Sequence, residues 1–229
     1  NSIPYTLFFI GNIFFWKTND YFSPDTEIMP LSHLWSLSIE EQFYLVFPIF
    51  IFLIFRNNLA RKNLKIIIFI GIFLSFLYTI LGFYNLPIEC PATNCIEVTN
   101  FYWLHTRVWE ILIGVFINFI NLKNLRFNKT FLVSGFVLIG VSFIFIQDEF
   151  NHPGIATLPT ILGTSIIILS SLKNDSNFIS KSSILHFLGK ISYSLYLIHF
   201  PLFVIRNYFG LSFNIFENLD ILPILFIFL

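Results

Sequence analysis

Glu40 and Glu41 stand side by side where the polar stretch Ser32-His-Leu-Trp-Ser-Leu-Ser38 passes into the apolar run Phe43 to Phe55. Carboxylates at a membrane boundary are costly unless they are paired or used. With a helix beginning near Ser36, residues three and four apart become neighbours, so His33, Ser36, Glu40 and Tyr44 line one stripe. A carboxylate beside an imidazole and two hydroxyls suits proton transfer, because it can orient the histidine or bind a hydroxyl that must be deprotonated. Ser38-Ile-Glu-Glu41 also reads as a capping box, in which the serine accepts from a backbone N–H and Glu41 returns the bond. Capping accounts for Glu41 and leaves Glu40 for chemistry.

Two further clusters carry polar groups into apolar text. His105, Arg107 and Glu110 enter the run Phe101 to Leu122, with Arg107 and Glu110 three apart on one face. An intrahelical ion pair would neutralise both, and a guanidinium there could also hold an anionic or carbonyl group through its fork of donors. His105 reads as structural. In the third cluster Ser192, Tyr196 and His199 follow one helical stripe, and Pro201 withdraws an N–H from the carbonyl of Leu197, which predicts a kink near His199. Cys90 and Cys95, the only cysteines, have the spacing of a small-loop disulfide, while zinc would need further ligands that the neighbouring sequence lacks.

The elements that must position these groups follow from composition. At 56% hydrophobic and 11% charged, with mean hydropathy +0.78, the chain has too little polar surface for a water-soluble globule. It reads as an all-α polytopic membrane protein, since lipid leaves the backbone only helix or closed barrel. Six runs approach the roughly 20 residues needed to cross a hydrocarbon core: Leu34 to Phe55, Ile66 to Tyr84, Phe101 to Leu122, Phe131 to Ile146, Ile155 to Leu172 and Ile191 to Phe209. Partial runs, Ile3 to Trp16 and Ile221 to Leu229, flank them. The expectation is therefore an incomplete membrane domain over residues 1–229, opening on Asn1 without signal-peptide features.

Charge placement gives an orientation. Ten of the 13 basic residues fall in three alternating loops: Arg56, Arg61, Lys62 and Lys65; Lys123, Arg126 and Lys129; Lys173, Lys181 and Lys190. The positive-inside bias makes these loops cytoplasmic. Asp20, Asp25, Glu27, Glu89, Glu97, Asp148, Glu149, Glu217 and Asp220 lie in the opposite loops, so Glu40 and Arg107 belong to the outer side. No basic run suits nucleic acid, and no glycine-rich phosphate loop, H-E-x-x-H or G-x-S-x-G motif is present.

The stretch "SHLWSLSIEEQFYLVFP" resembles the signature of the acyltransferase-3 family, integral membrane O-acyltransferases that modify cell-envelope polysaccharides, lipopolysaccharide or peptidoglycan. "NFYWLHTRVWEILIG" from Asn100 and "LGKISYSLYLIHFPL" from Leu188 resemble further family motifs in the expected order, so the likeness covers nearly the whole chain. It implies transfer of an acyl group, usually acetyl, from a cytoplasmic acyl-CoA to a hydroxyl of an envelope or exported saccharide or glycolipid, with no bound cofactor or metal. It implies catalytic roles for Glu40, Glu41, Arg107 and Glu110. His33, Trp35, Ser36, Tyr44, Tyr196 and His199 would line the acceptor site. In the family a histidine and arginines of the first helix region are held essential. That region is expected upstream of Asn1, and a chain without it is expected to be inactive alone. Two other classes stay open: a transporter or flippase for a glycolipid or small anion, where intramembrane charges and broken helices are equally expected, and a purely structural membrane subunit.

The basic asymmetry generates a topology test. Reporters or cysteine labels at Asn58, Asn124 and Asn174 are expected to behave as cytoplasmic, and those at Asn94 and Asn151 as external. Reversed labelling at any two positions would overturn the orientation.

Overall fold

The computed structural model describes residues 2–18, 29–83, 95–121, 129–145, 153–173 and 182–209, and among these every regular element is helical. Short helices α1 (Ile3–Leu7) and α2 (Gly11–Thr18) come first. A 3-10 turn, Ser32–Leu34, then runs straight into α3 (Trp35–Phe55). The small helix α4 (Asn58–Lys62) turns the chain into α5 (Leu64–Phe83), its start capped by Asn57, whose side chain accepts from the N–H groups of Leu59 and Ala60. Next come α6 (Cys95–Tyr102), α7 (Leu104–Ile117) and α8 (Lys129–Phe145). A second 3-10 turn leads into α9 (Leu158–Lys173), and α10 (Ser183–Phe209) runs through Pro201 as one helix.

Four stretches are long and apolar enough to cross a membrane: Ser32–Phe55, Leu64–Leu81, Ile155–Leu172 and Ser183–Arg206. They overlap four of the six expected spans, although Ser183–Arg206 begins well before the expected Ile191. Lys129–Ile144 is apolar but shorter. The expected span Phe101 to Leu122 is divided at Trp103, whose extended backbone (φ −97°, ψ 140°) separates α6 from the 14-residue α7. The division is stable because side chains take over the carbonyls the helix leaves open. Thr106 Oγ1 lies 2.7 Å from the carbonyl of Asn100 and 2.6 Å from that of Trp103, and Asn12 Nδ2 donates to the Tyr102 carbonyl at 3.0 Å. The run Ile3 to Trp16 is divided too, at Phe9, which takes φ 56° between α1 and α2. The run Ile221 to Leu229 lies outside the described residues.

Two apolar clusters hold the bundle. Phe15, Trp35, Ile39 and Tyr102 join α2, α3 and α6, with Phe101, Trp103 and Leu104 packed around them. Phe43, Ile68 and Leu112 join α3, α5 and α7 further along. Away from these seams α3 exposes Leu45, Val46, Phe52 and Leu53, as a helix facing lipid requires. Polar staples reinforce the α5–α7 seam: Ser75 Oγ donates to the His105 carbonyl at 2.7 Å and Thr79 Oγ1 to that of Thr106 at 2.6 Å.

Helices α8 and α9 approach through glycine. A Cβ on Gly163 would sit 2.7 Å from the Gly135 carbonyl oxygen, and one on Gly135 would sit 2.9 Å from that of Gly163. Small residues permit such close backbones in lipid, where packing rather than water exclusion drives association. Gly163→Ala is therefore expected to destabilise the folded protein by about 1–3 kcal/mol, as overpacking does. Gly140→Ala, with nothing within 4 Å of the new methyl, is expected to be neutral or to stabilise by up to about 1 kcal/mol. Melting in detergent checks both. Equal shifts would refute the glycine contact.

Candidate active site at the start of α3

The first of these elements to meet is the turn before α3. Among its three residues Ser32 and His33 are buried, and α10 packs on it from the side. Tyr196 Oη donates to the His33 carbonyl at 2.7 Å, and Ser36 Oγ is in short hydrogen-bond contact with Tyr196 Oη. Ser36 Oγ also lies 3.4 Å from the His33 carbonyl, so both hydroxyls are tied to each other and to that one acceptor. The His33 ring stands among the rings of Tyr196, His199 and Phe200 at centroid distances of 5.3, 5.2 and 5.3 Å. Both its nitrogens are buried and have no well-formed hydrogen bond among the described residues, although backbone groups of Pro30, Tyr196 and Leu197 lie near the ring. Leaving a buried polar atom unpaired costs about 1–3 kcal/mol, so the arrangement calls for an explanation.

His199 differs. Its Nδ1 lies 2.6 Å from the Tyr196 carbonyl and 3.3 Å from that of Leu195, and since both are acceptors the Nδ1 atom carries the hydrogen. In the neutral ring Nε2 is then the acceptor. Ser192, expected on the same stripe, is exposed and donates to the Gly189 carbonyl instead.

Trp35, the first residue of α3, meets the second cluster. The Arg107 guanidinium lies 4.7 Å from the Trp35 ring centroid and 5.0 Å from that of Phe101, within cation–π range on both. Three residues on, Glu110 is half-buried and its Oε1 has no hydrogen-bond partner among the described residues. His105 is exposed and rests against the Tyr78 ring at 4.8 Å. The structure thus brings His33, Ser36, Tyr196 and His199 together, and separately sets Arg107 over the ring of Trp35.

Two expectations change. The stripe of His33, Ser36, Glu40 and Tyr44 is divided in its surroundings: His33 is buried on the turn and shares Tyr196 with Ser36, whereas Glu40 is exposed and Tyr44 is 58% exposed. The reason is that α3 begins at Trp35, so His33 belongs to a tighter 3-10 turn and is out of phase with the helix. The capping box is also absent. Ser38 lies inside α3, buried, and its hydroxyl donates back to the Leu34 carbonyl at 3.1 Å, so it accepts nothing for Glu41 to reciprocate. Cys90 lies outside the described residues, as does the side chain of Cys95, and with them the expected disulfide.

Sequence reasoning passed over Asn12 and Gln42. Gln42 Nε2 donates to the Phe9 carbonyl at 2.8 Å and to Asn12 Oδ1 at 2.9 Å, while Asn12, 2% exposed, donates onward to Tyr102. Their only signal was an amide inside or beside an apolar run. A cleft of about 410 Å³ opens beside them between α2, α3 and α7, edged by Trp103 and His105. None of His33, Glu40, Arg107 or Glu110 lines it.

Comparison with known proteins accords with these motifs. The family model described as an acyltransferase domain, that of the acyltransferase-3 family, matches residues 2–229. A Staphylococcus aureus (strain COL) protein provisionally named an O-acetyltransferase is 30% identical over 216 residues, covering 87% of this chain and 34% of its own length. The O-acetyltransferase OatA of Staphylococcus aureus (strain NCTC 8325) is 29% identical over 217 residues, covering 88% of this chain and 34% of its own. The chain thus spans about a third of the length of the curated relatives it matches. No solved structure matches it. With the family model matched almost from end to end, the chain belongs to the acyltransferase-3 family of membrane acyltransferases.

Proposed function

We propose that this chain transfers an acyl group, in the simplest case acetyl, from an acyl-CoA supplied on the cytoplasmic side to a hydroxyl of a cell-envelope or exported saccharide. Family membership and the O-acetyltransferase names of the relatives support the reaction class. The observation that carries the site is the buried His33 ring, whose nitrogens make no well-formed hydrogen bond among the described residues while the neighbouring hydroxyls of Ser36 and Tyr196 are committed to one another and to the backbone. A neutral imidazole offers one donor and one acceptor, the complement of a sugar hydroxyl. His33, Trp35, Ser36, Tyr196 and His199 therefore form the acceptor side, with Tyr44 further along α3. Arg107, held on Trp35, suits the oxyanion that develops when the hydroxyl oxygen attacks the thioester carbonyl. The hydroxyl proton leaves to a base, the new C–O bond forms as the C–S bond breaks, and the CoA thiolate takes up a proton. Glu110, half-buried, and Glu40 and Glu41, near the outer surface in the orientation inferred above, are the carboxylates available to handle that proton or orient an imidazole.

A transporter or flippase is the second reading, favoured by helices broken at Phe9 and Trp103. One experiment separates the two: full-length protein in membrane vesicles, labelled acetyl-CoA outside and saccharide acceptor inside or out, with ester formation and uptake both measured. Ester formation is expected. Uptake without it would favour transport.

In the same assay His33→Phe keeps a ring of similar size and removes only the nitrogens. It is expected to preserve folded yield and lower turnover at least about 10²-fold, the lower end of an acid–base contribution. Glu40→Gln is expected to lower turnover as well, and Glu41→Gln, without a capping duty, is judged by the same ratio of turnover to folded protein. Unchanged turnover in His33→Phe would reduce that ring to packing.

A further inference from the structure

We infer that Gln42 is a positioning residue for this reaction: through Asn12 it ties the break at Phe9 to the break at Trp103 and so sets where α7, carrying Arg107 and Glu110, begins relative to α3. The inference rests on the acyl-transfer reading of the site and adds a residue to it. Hydrogen-bond chemistry fixes the direction of the brace. The oxygens of Phe9 and Tyr102 are carbonyls and can only accept, so Gln42 must turn its NH₂ to Phe9 and Asn12 must turn its NH₂ to Tyr102. That leaves Asn12 Oδ1 to receive the second Gln42 hydrogen, at 2.9 Å. Both Gln42 hydrogens are used, and no amide can be flipped without opposing like groups.

Each end of the brace lies at an interruption of the backbone. Phe9 takes the left-handed φ of 56°, disfavoured for a residue with a Cβ, and its carbonyl is captured by Gln42. Tyr102 closes α6, Trp103 is extended, and Leu104 opens α7, so Arg107 and Glu110 stand about one and two turns beyond the held carbonyl. The opposite side of the first turn of α7 is tethered separately, by Ser75 and Thr79 to the carbonyls of His105 and Thr106. Loss of the brace would therefore shift α7 rather than melt it. Gly11 fits the same junction: a Cβ there would meet Ser38 Oγ at 3.1 Å, so α2 can approach α3 closely enough for Asn12 to reach Gln42.

The test uses full-length protein in membrane vesicles and Gln42→Met, which keeps the length of the side chain and removes its donors. A positioning role predicts a fall in kcat per folded molecule of about 10²-fold, the penalty of a reacting group misplaced by about 1 Å, with KM for acyl-CoA and acceptor nearly unchanged. A purely structural role predicts lower folded yield with kcat per folded molecule intact, and that result overturns the inference. Combining Gln42→Met with Asn12→Ala is expected to cost little more than either alone, because both cut one brace; additive losses in kcat overturn it as well. Should Gln42→Met fail to accumulate, Asn12→Asp carries the same expectation, since it keeps the size and removes the donor to Tyr102. Wild-type protein that transfers no acyl group would overturn the functional reading and this inference together. Wild-type transfer with unimpaired Gln42→Met would overturn the inference alone.

Discussion

A helix that stops inside a bilayer finds no water for the carbonyls and amides it leaves open, and every interruption must be closed by a side chain from elsewhere in the protein. The described residues show each interruption closed in that way. The break at Phe9 is closed by Gln42 of α3, and the break at Trp103 by Asn12 of α2 together with Thr106 of α7. The turn before α3 is closed by Tyr196 of α10. Each closure reaches from one element to another, so the irregular backbone that could line a site is also what joins the helices.

Around this polar scaffold the aromatic residues do the spacing. Trp35 is the first residue of α3 and packs on Phe101 and Tyr102 at centroid distances of 4.3 and 5.3 Å, while Arg107 lies over its ring. Two residues earlier His33 turns to the other side, toward α10. The imidazole cluster and the guanidinium thus lie on different sides of the start of α3. Replacing the bulk of Trp35 by a smaller apolar side chain would leave a void in a seam where dispersion contacts supply most of the cohesion.

Much of this was legible in the sequence, for reasons that differ by residue. Long apolar runs give membrane helices directly, and four of them appear where hydropathy places them. The start of α3 was readable to within a residue because polar text ends there. The division at Trp103 was not, since nothing in an unbroken apolar run such as Phe101 to Leu122 announces that Asn12, some ninety residues away, will take the Tyr102 carbonyl. The same non-local bonding hid Gln42, which reads as an ordinary surface amide. Ser38 misled for the opposite reason: its capping pattern is local, and the helix had already begun before it, so the hydroxyl turned back on the preceding turn. Tyr196 and His199 were placed by motif and are found at His33, whereas Glu40, chosen by helical phase with His33, is exposed on α3 while the 3-10 turn puts His33 out of phase with it.

The glycine contact between α8 and α9 has a mechanical meaning. Where Gly135 meets Gly163, backbone lies against backbone, and no side chain stands between them whose rotamer change could let the two helices slide or tilt apart. Such a contact resists sliding of α8 on α9. Seams filled by side chains, such as that between α10 and the turn at His33, yield more readily than one made of backbone.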